Sequence, residues 1–132
     1  MKLQKFKLIK QQQGQSLVEF ALLLPMLVVI LFGTVEFGRL WMTMNVLTGA
    51  AREGARVAAV TAPNTAQVQT AVNNVLSGAS ITGATITVVG PNAANNVTVT
   101  VRINYNVLTG TIVPGISRTL QLTRTASMRW EG

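Results

Sequence analysis

A chain of 132 residues with a net charge of +7 and 48% hydrophobic residues holds one small domain beyond any long anchoring helix, with no room for a second independent core. It has no His, no Cys and no Asp, and its carboxylates are Glu19, Glu36, Glu53 and Glu131. Metal sites and Cys- or His-based nucleophilic catalysis need ligands and bases that are missing here, so the composition argues against an enzyme and against a bound cofactor.

The distribution of charge says more than its sum. Lys2, Lys5, Lys7 and Lys10 supply +4, and the chain from Gln15 onward carries +3. That is an ordinary surface balance without a dense basic patch or interleaved stacking aromatics, so neither nucleic acid nor a small-molecule substrate is expected as a partner.

The basic leader, residues 1–14, gives way to sixteen uncharged residues from Phe20 to Val35. At about 1.5 Å per residue, the step from Glu19 to Glu36 covers roughly 26 Å, close to the ~30 Å hydrocarbon layer of a bilayer. A carboxylate at mid-bilayer would cost about 2.5 to 3.5 kcal/mol, so two glutamates at the edges are the cheaper arrangement. Glu36 has Arg39 at i+3, a spacing at which the two can neutralise each other as the helix leaves the membrane. The span is placed at about 17–38. Four lysines before it predict a cytoplasmic N-terminus and an extracytoplasmic C-terminal domain. A secretory signal peptide competes, but the apolar run exceeds the usual 7 to 15 residues and ends in Glu36-Phe37-Gly38-Arg39 without a small-x-small cleavage site. Pro25 removes a backbone donor and crowds the Ala21 carbonyl, which predicts a kink or loosened turn. Prolines of this kind are also simply tolerated in membrane helices, and both readings stand at this point.

Past the span the helix is predicted to continue to about residue 60. Ala50, Gly54 and Ala58, with Ala51, Ala55 and Ala59, draw two small-residue ridges along one face. Such a face admits close approach, either by the chain's own C-terminal sheet, which the pattern favours, or by a partner helix. Gly49 and Gly54 both sacrifice helix propensity, which suggests close packing at both. Arg52, Glu53 and Arg56 occupy the opposite side, with Glu53 and Arg56 spaced as an i, i+3 pair.

Thr61-Ala62-Pro63-Asn64 ends this helix, with Asn64 as a candidate cap for a second one over 65–76, whose Val68, Ala71, Val72, Val75 and Leu76 form an amphipathic stripe. The period then falls to two. Ile86 and Val88 mark a first strand turned by Gly90-Pro91-Asn92. The alternation from Val97 to Val107 marks a second, and 119–130 a third, in which Arg124 interrupts the apolar face near its edge. The apolar connection from Leu108 to Ser117 reads as core-plugging in preference to an exposed contact. A half-apolar antiparallel sheet needs a lid, and the two helices provide it. The fold class is therefore α+β: residues 15–60 form one long helix and 61–132 a small sheet domain with one extra helix.

Taken together, Gly14-Gln15-Ser16-Leu17-Val18-Glu19-Phe20-Ala21, Leu24-Pro25, Glu36-Phe37-Gly38-Arg39 and Ala50-Ala51-Arg52-Glu53-Gly54-Ala55-Arg56 resemble the TadE-like family of the tight-adherence (Tad, or Flp) pilus system. The resemblance runs from Gly14 to Ala59. It implies a pilin-like fold and cleavage between Gly14 and Gln15 by a prepilin peptidase, with Glu19 and Phe20 at positions five and six of the mature chain. It further implies that Glu19 meets the N-terminal amine of a neighbouring subunit, although Glu19 read alone could equally rest among lipid headgroups. The helix turn at Pro25 would loosen on passage from bilayer to filament. The implied partners are the lipid bilayer, the peptidase, other pilins or pseudopilins and the inner-membrane assembly platform. Classical type IV pilins usually begin with phenylalanine, whereas this mature chain would begin with Gln15, which leaves N-methylation open. The implied function is that of a minor pilin or pseudopilin acting in filament initiation, capping or assembly. The alternatives are an unprocessed membrane-anchored binding module or a main filament subunit.

Overall fold

A computed structural model describes residues 2–61, 65–108, 110, 115 and 117–131, with side chains from residue 14 onward. In chain order the elements are helix α1 (Lys2–Val60), helix α2 (Thr65–Gly78) and strands β1 (Thr85–Val89), β2 (Asn96–Asn106) and β3 (Thr119–Arg129). The architecture is α+β, a long apolar N-terminal helix followed by a short helix and a small antiparallel sheet. By packing, the chain divides into two compact units, Met1–Phe37 and Gly38–Gly132.

The first unit is helix throughout its described residues, and the large apolar side chains described in it, from Leu17 onward, are exposed. Leu22 is 75% exposed, and Leu17, Phe20, Met26 and Leu31 are each more than half exposed. Exposure on every side is the pattern of a helix whose solvent is hydrocarbon instead of a protein core. Among the described residues, the stretch Gly14–Val60 alone is long and apolar enough to cross a membrane, which is compatible with a membrane anchor. The helix runs through Pro25 without interruption. The hydroxyl of Thr34 donates to the Ile30 carbonyl at 2.9 Å, so this polar group inside the apolar stretch is satisfied within the helix.

The second unit has a conventional core. The sheet order is β1-β2-β3, both pairs antiparallel, with β2 in the centre. Val97, Val99, Val101, Ile103 and Tyr105 alternate onto the buried face of β2, as the period of two requires. Against them pack Leu47, Ala50, Ala51, Ala55 and Ala58 of α1 and Val68, Val72 and Leu76 of α2. Each fully buried Leu or Val contributes about 1.5 to 3 kcal/mol relative to exposure, so these few side chains dominate the stability of the unit. The opposite face of the sheet is polar, and its strands are tied by Thr98 to Ser127 at 3.2 Å and Thr100 to Thr125 at 3.1 Å.

Three local devices fix the ends of these elements. In the β1–β2 turn, Gly90 adopts φ +125°, and a Cβ there would meet the Asn96 carbonyl oxygen at 2.6 Å, so only glycine fits. Two residues on, the Asn92 side-chain oxygen accepts from the backbone N–H groups of Ala94 and Asn96, each at 3.0 Å. At the C-terminal end, the Trp130 N–H donates to the Asn95 carbonyl at 2.8 Å and the Glu131 N–H to the Ala59 carbonyl at 3.0 Å. The second bond satisfies one of the carbonyls that the end of α1 would otherwise leave open.

The expected cap at Asn64 and most of the Leu108–Ser117 connection lie outside the described residues.

Candidate functional site

Two groups of residues carry the functional expectations, and they fall in different units. Gly14, Gln15, Glu19 and Phe20 lie on exposed helix near the start of the described side chains. One helical turn separates Gln15 from Glu19, and the Gln15 side-chain amide donates to the Glu19 carboxylate at 3.4 Å. Glu19 is thus on the same helix face as Gln15 and open to its surroundings. Pro25 follows in the same exposed apolar stretch.

The second group is the small-residue face. Ala50, Ala51, Gly54, Ala55, Ala58 and Ala59 are all buried. Its closest point is Gly54, where a Cβ would stand 2.6 Å from Val72 Cγ2 and 3.1 Å from Val99 Cγ1. Helix α2 and strand β2 therefore converge on this glycine. The face is filled by the chain's own elements, as the sequence pattern favours.

Gly49 departs from expectation. A Cβ there would find nothing within 4 Å, and the residue is exposed, so close packing does not account for it. It is five residues before Gly54, a rotation of about 140° around the helix, which carries it off the packed face.

On the outer side of α1, Arg56 donates to Glu53 through Nε at 3.0 Å and Nη2 at 2.6 Å. This bond holds the Glu53 carboxyl below the usual carboxylate range; burial opposes it, and the charge of the guanidinium adds the smallest effect, in the same direction as the bond. The same bond pushes the Arg56 guanidinium up.

Two side-chain contacts go beyond what the residue pattern indicates, although it does put Arg124 on the apolar face of the third strand. The Arg39 guanidinium lies 5.6 Å from the centre of the Tyr105 ring, a cation–π contact between the start of the second unit and the end of β2. Arg124, opposite Val101 on the edge strand, reaches inward and donates from Nη2 to the Met44 sulfur at 3.0 Å. The sequence signals were present but not specific: a single tyrosine ending an alternating run, and a cation at an apolar register position.

Residues 14–56 match the family model described as TadE-like protein. The match covers about a third of the chain, from the start of the apolar helix into the small-residue face. No curated protein matches the chain, and no solved structure does.

Proposed function

We propose that this chain, TadE-like over residues 14–56, is a minor pilin or pseudopilin of a Tad/Flp-type pilus or a related secretion assembly. The observation that carries the proposal is where the match begins. It starts at Gly14, the residue before the proposed cleavage, and leaves the lysine-rich leader outside.

In this reading the leader stays in the cytoplasm, the apolar helix crosses the inner membrane once, and the sheet unit stands on the extracytoplasmic side. A prepilin peptidase cuts between Gly14 and Gln15. The new amine of Gln15 then seeks a carboxylate among apolar helices, and Glu19 of a neighbouring subunit supplies it. An amine and a carboxylate buried together stabilise each other, while either alone is strongly penalised. Two further features support an assembly role in which the protein performs no turnover of its own. The small-residue face is already occupied by α2 and β2, so lateral contacts with other pilins fall to the exposed apolar residues from Leu17 to Phe37. The sheet unit makes the chain larger than the bare helix that the main filament subunit of such systems resembles, which favours a minor component.

Mass spectrometry of the N-terminus from membranes with and without the peptidase tests the proposal. A start at Gln15 that requires the peptidase is expected. A chain that still begins at Met1 in the presence of the competent enzyme overturns it.

A further inference from the structure

The end of the sheet unit at which the chain enters it combines cations with exposed large apolar side chains. Arg39, two residues past the first unit, sits against Tyr105. Tyr105 pairs with Leu120, and Val107 donates to the Arg118 carbonyl at 2.8 Å, so these residues share one end of the sheet. Large apolar side chains are exposed at this end: Leu108 is 48% exposed, Leu120 43%, and Trp41, on the helix beside Arg39, 63%. Between helix and sheet lies an open groove of about 420 Å³ whose lining includes Arg39, Met42, Ile81, Tyr105 and Asn106 and no carboxylate.

Both carboxylates of this unit are elsewhere. Glu53 stands about 21 Å farther along α1 at the helical rise, paired with Arg56. Glu131 is bonded through its N–H to Ala59, at the other end of the helix. Near the groove the closest acid in sequence is Glu36, against the two cations Arg39 and Arg118.

We infer that this end of the sheet unit is a membrane-resting base, with Leu108, Leu120 and Trp41 entering the interfacial layer and Arg39 and Arg118 meeting the phosphates of anionic phospholipids. The inference rests on the apolar helix being a membrane anchor. Three arguments select lipid as the occupant. The chain leaves the apolar stretch within two residues of Arg39, so this end is tethered beside the bilayer surface. Cations exceed acids there, which suits an anionic leaflet. A tryptophan at such an exit sits at the headgroup level, where its amphipathic ring is best solvated on both sides.

The experiment uses the full chain in phosphatidylcholine–phosphatidylglycerol vesicles, with lipids brominated either near the headgroup or deep in the acyl chain as quenchers. Trp41→Phe and Trp130→Phe first remove the native fluorophores. Single reporters are then introduced as Leu120→Trp, with Leu108→Trp as an independent second position, Val89→Trp as the distal comparison and Ile30→Trp as the anchor control. The expected result is loss of fluorescence with shallow bromines at positions 120 and 108, none at 89, and loss with deep bromines at 30. Adding Arg39→Gln and Arg118→Gln should reduce the quenching at 120 in anionic vesicles to the level seen in neutral ones. Quenching at 30 with none at 120 and 108 overturns the base while leaving the anchor intact. Absence of quenching at 30 removes the anchor and the base together. A blue-shifted, unquenched signal at 120 that grows with protein-to-lipid ratio assigns the surface to a second copy of the chain, and likewise overturns the inference.

Discussion

Gly49→Ala and Gly54→Ala make the same chemical change five residues apart on one helix, and the packing requires opposite outcomes. In a helix interior, Ala is favoured over Gly by about 1 kcal/mol, and both variants collect this gain. At position 49 nothing lies within 4 Å of the new Cβ, so the gain is kept. At position 54 the Cβ would stand 2.6 Å from Val72 Cγ2 and 3.1 Å from Val99 Cγ1. Val72 is fully buried and, being β-branched in a helix, has essentially one rotamer, so it cannot turn aside cheaply. Overpacking of this kind costs about 1 to 3 kcal/mol. Because the helix contribution is common to both variants, the difference between them isolates the packing cost. At about 4 to 8 °C per kcal/mol for a unit of this size, melting temperatures should separate by at least about 4 °C, with Gly49→Ala above the parent chain. Thermal unfolding in detergent, followed by Trp130 fluorescence in a Trp41→Phe background, measures this. Adding Val72→Ala should restore part of the loss in Gly54→Ala. Equal stabilisation by both substitutions would refute the claim that helix α2 and the sheet converge on Gly54.

Leu47→Ala, at a fully buried core position, should cost about 2 to 5 kcal/mol, whereas Val60→Ala, at a side chain 63% exposed, should stay within about 0.5 kcal/mol; the same melting assay ranks them. Glu53 has a folded-state pKa below its unfolded value, so its contribution is present above the unfolded pKa, near 4.5, and is lost as pH falls through the depressed folded one. The acid limb of a stability profile should therefore be shallower in Glu53→Gln, by a small amount that salt reduces further because the pair is exposed. Arg124→Leu should leave the melting temperature unchanged or higher, since the one polar contact it removes is with a thioether, while increasing self-association along β3 in crosslinking, because an inward charge protects an open strand edge. For the assembly proposal, Glu19→Gln should leave cleavage at Gly14 intact and lower the recovery of the chain with other pilins in affinity isolation.

Much of this fold was legible because two periodicities are plain in the chain. Valines at 97, 99 and 101 can all be buried together only on one face of a strand, and Val68, Val72 and Leu76 only on one face of a helix. The ridges of Ala50, Gly54 and Ala58 were readable for the same reason. What the sequence hid depends on neighbours in space. Leu120 and Met128 occupy the apolar register of β3 and are nevertheless 43% and 36% exposed, because β3 is an edge strand and the helical lid does not reach its ends. The alternation of β3 already put Arg124 on the apolar face, but that Met44 stands there to receive it is encoded by no local pattern. Gly49 looked equivalent to Gly54 because propensity sees only the residue, whereas packing depends on azimuth. For the candidate processing residues the sequence remains the main guide, since Gly14, Gln15 and Glu19 acquire their meaning from order along the chain.

The bond from Glu131 to the Ala59 carbonyl joins the last strand to the terminus of the first helix across 72 positions of sequence. Loosening of the segment at Trp130 and Glu131 therefore exposes the helix terminus as well, and amide exchange at the two places should rise and fall as one event. Glu131→Pro, which removes that donor, would test how tightly the seam is sewn: it should weaken protection at Val60 and Thr61 before it disturbs the centre of the sheet.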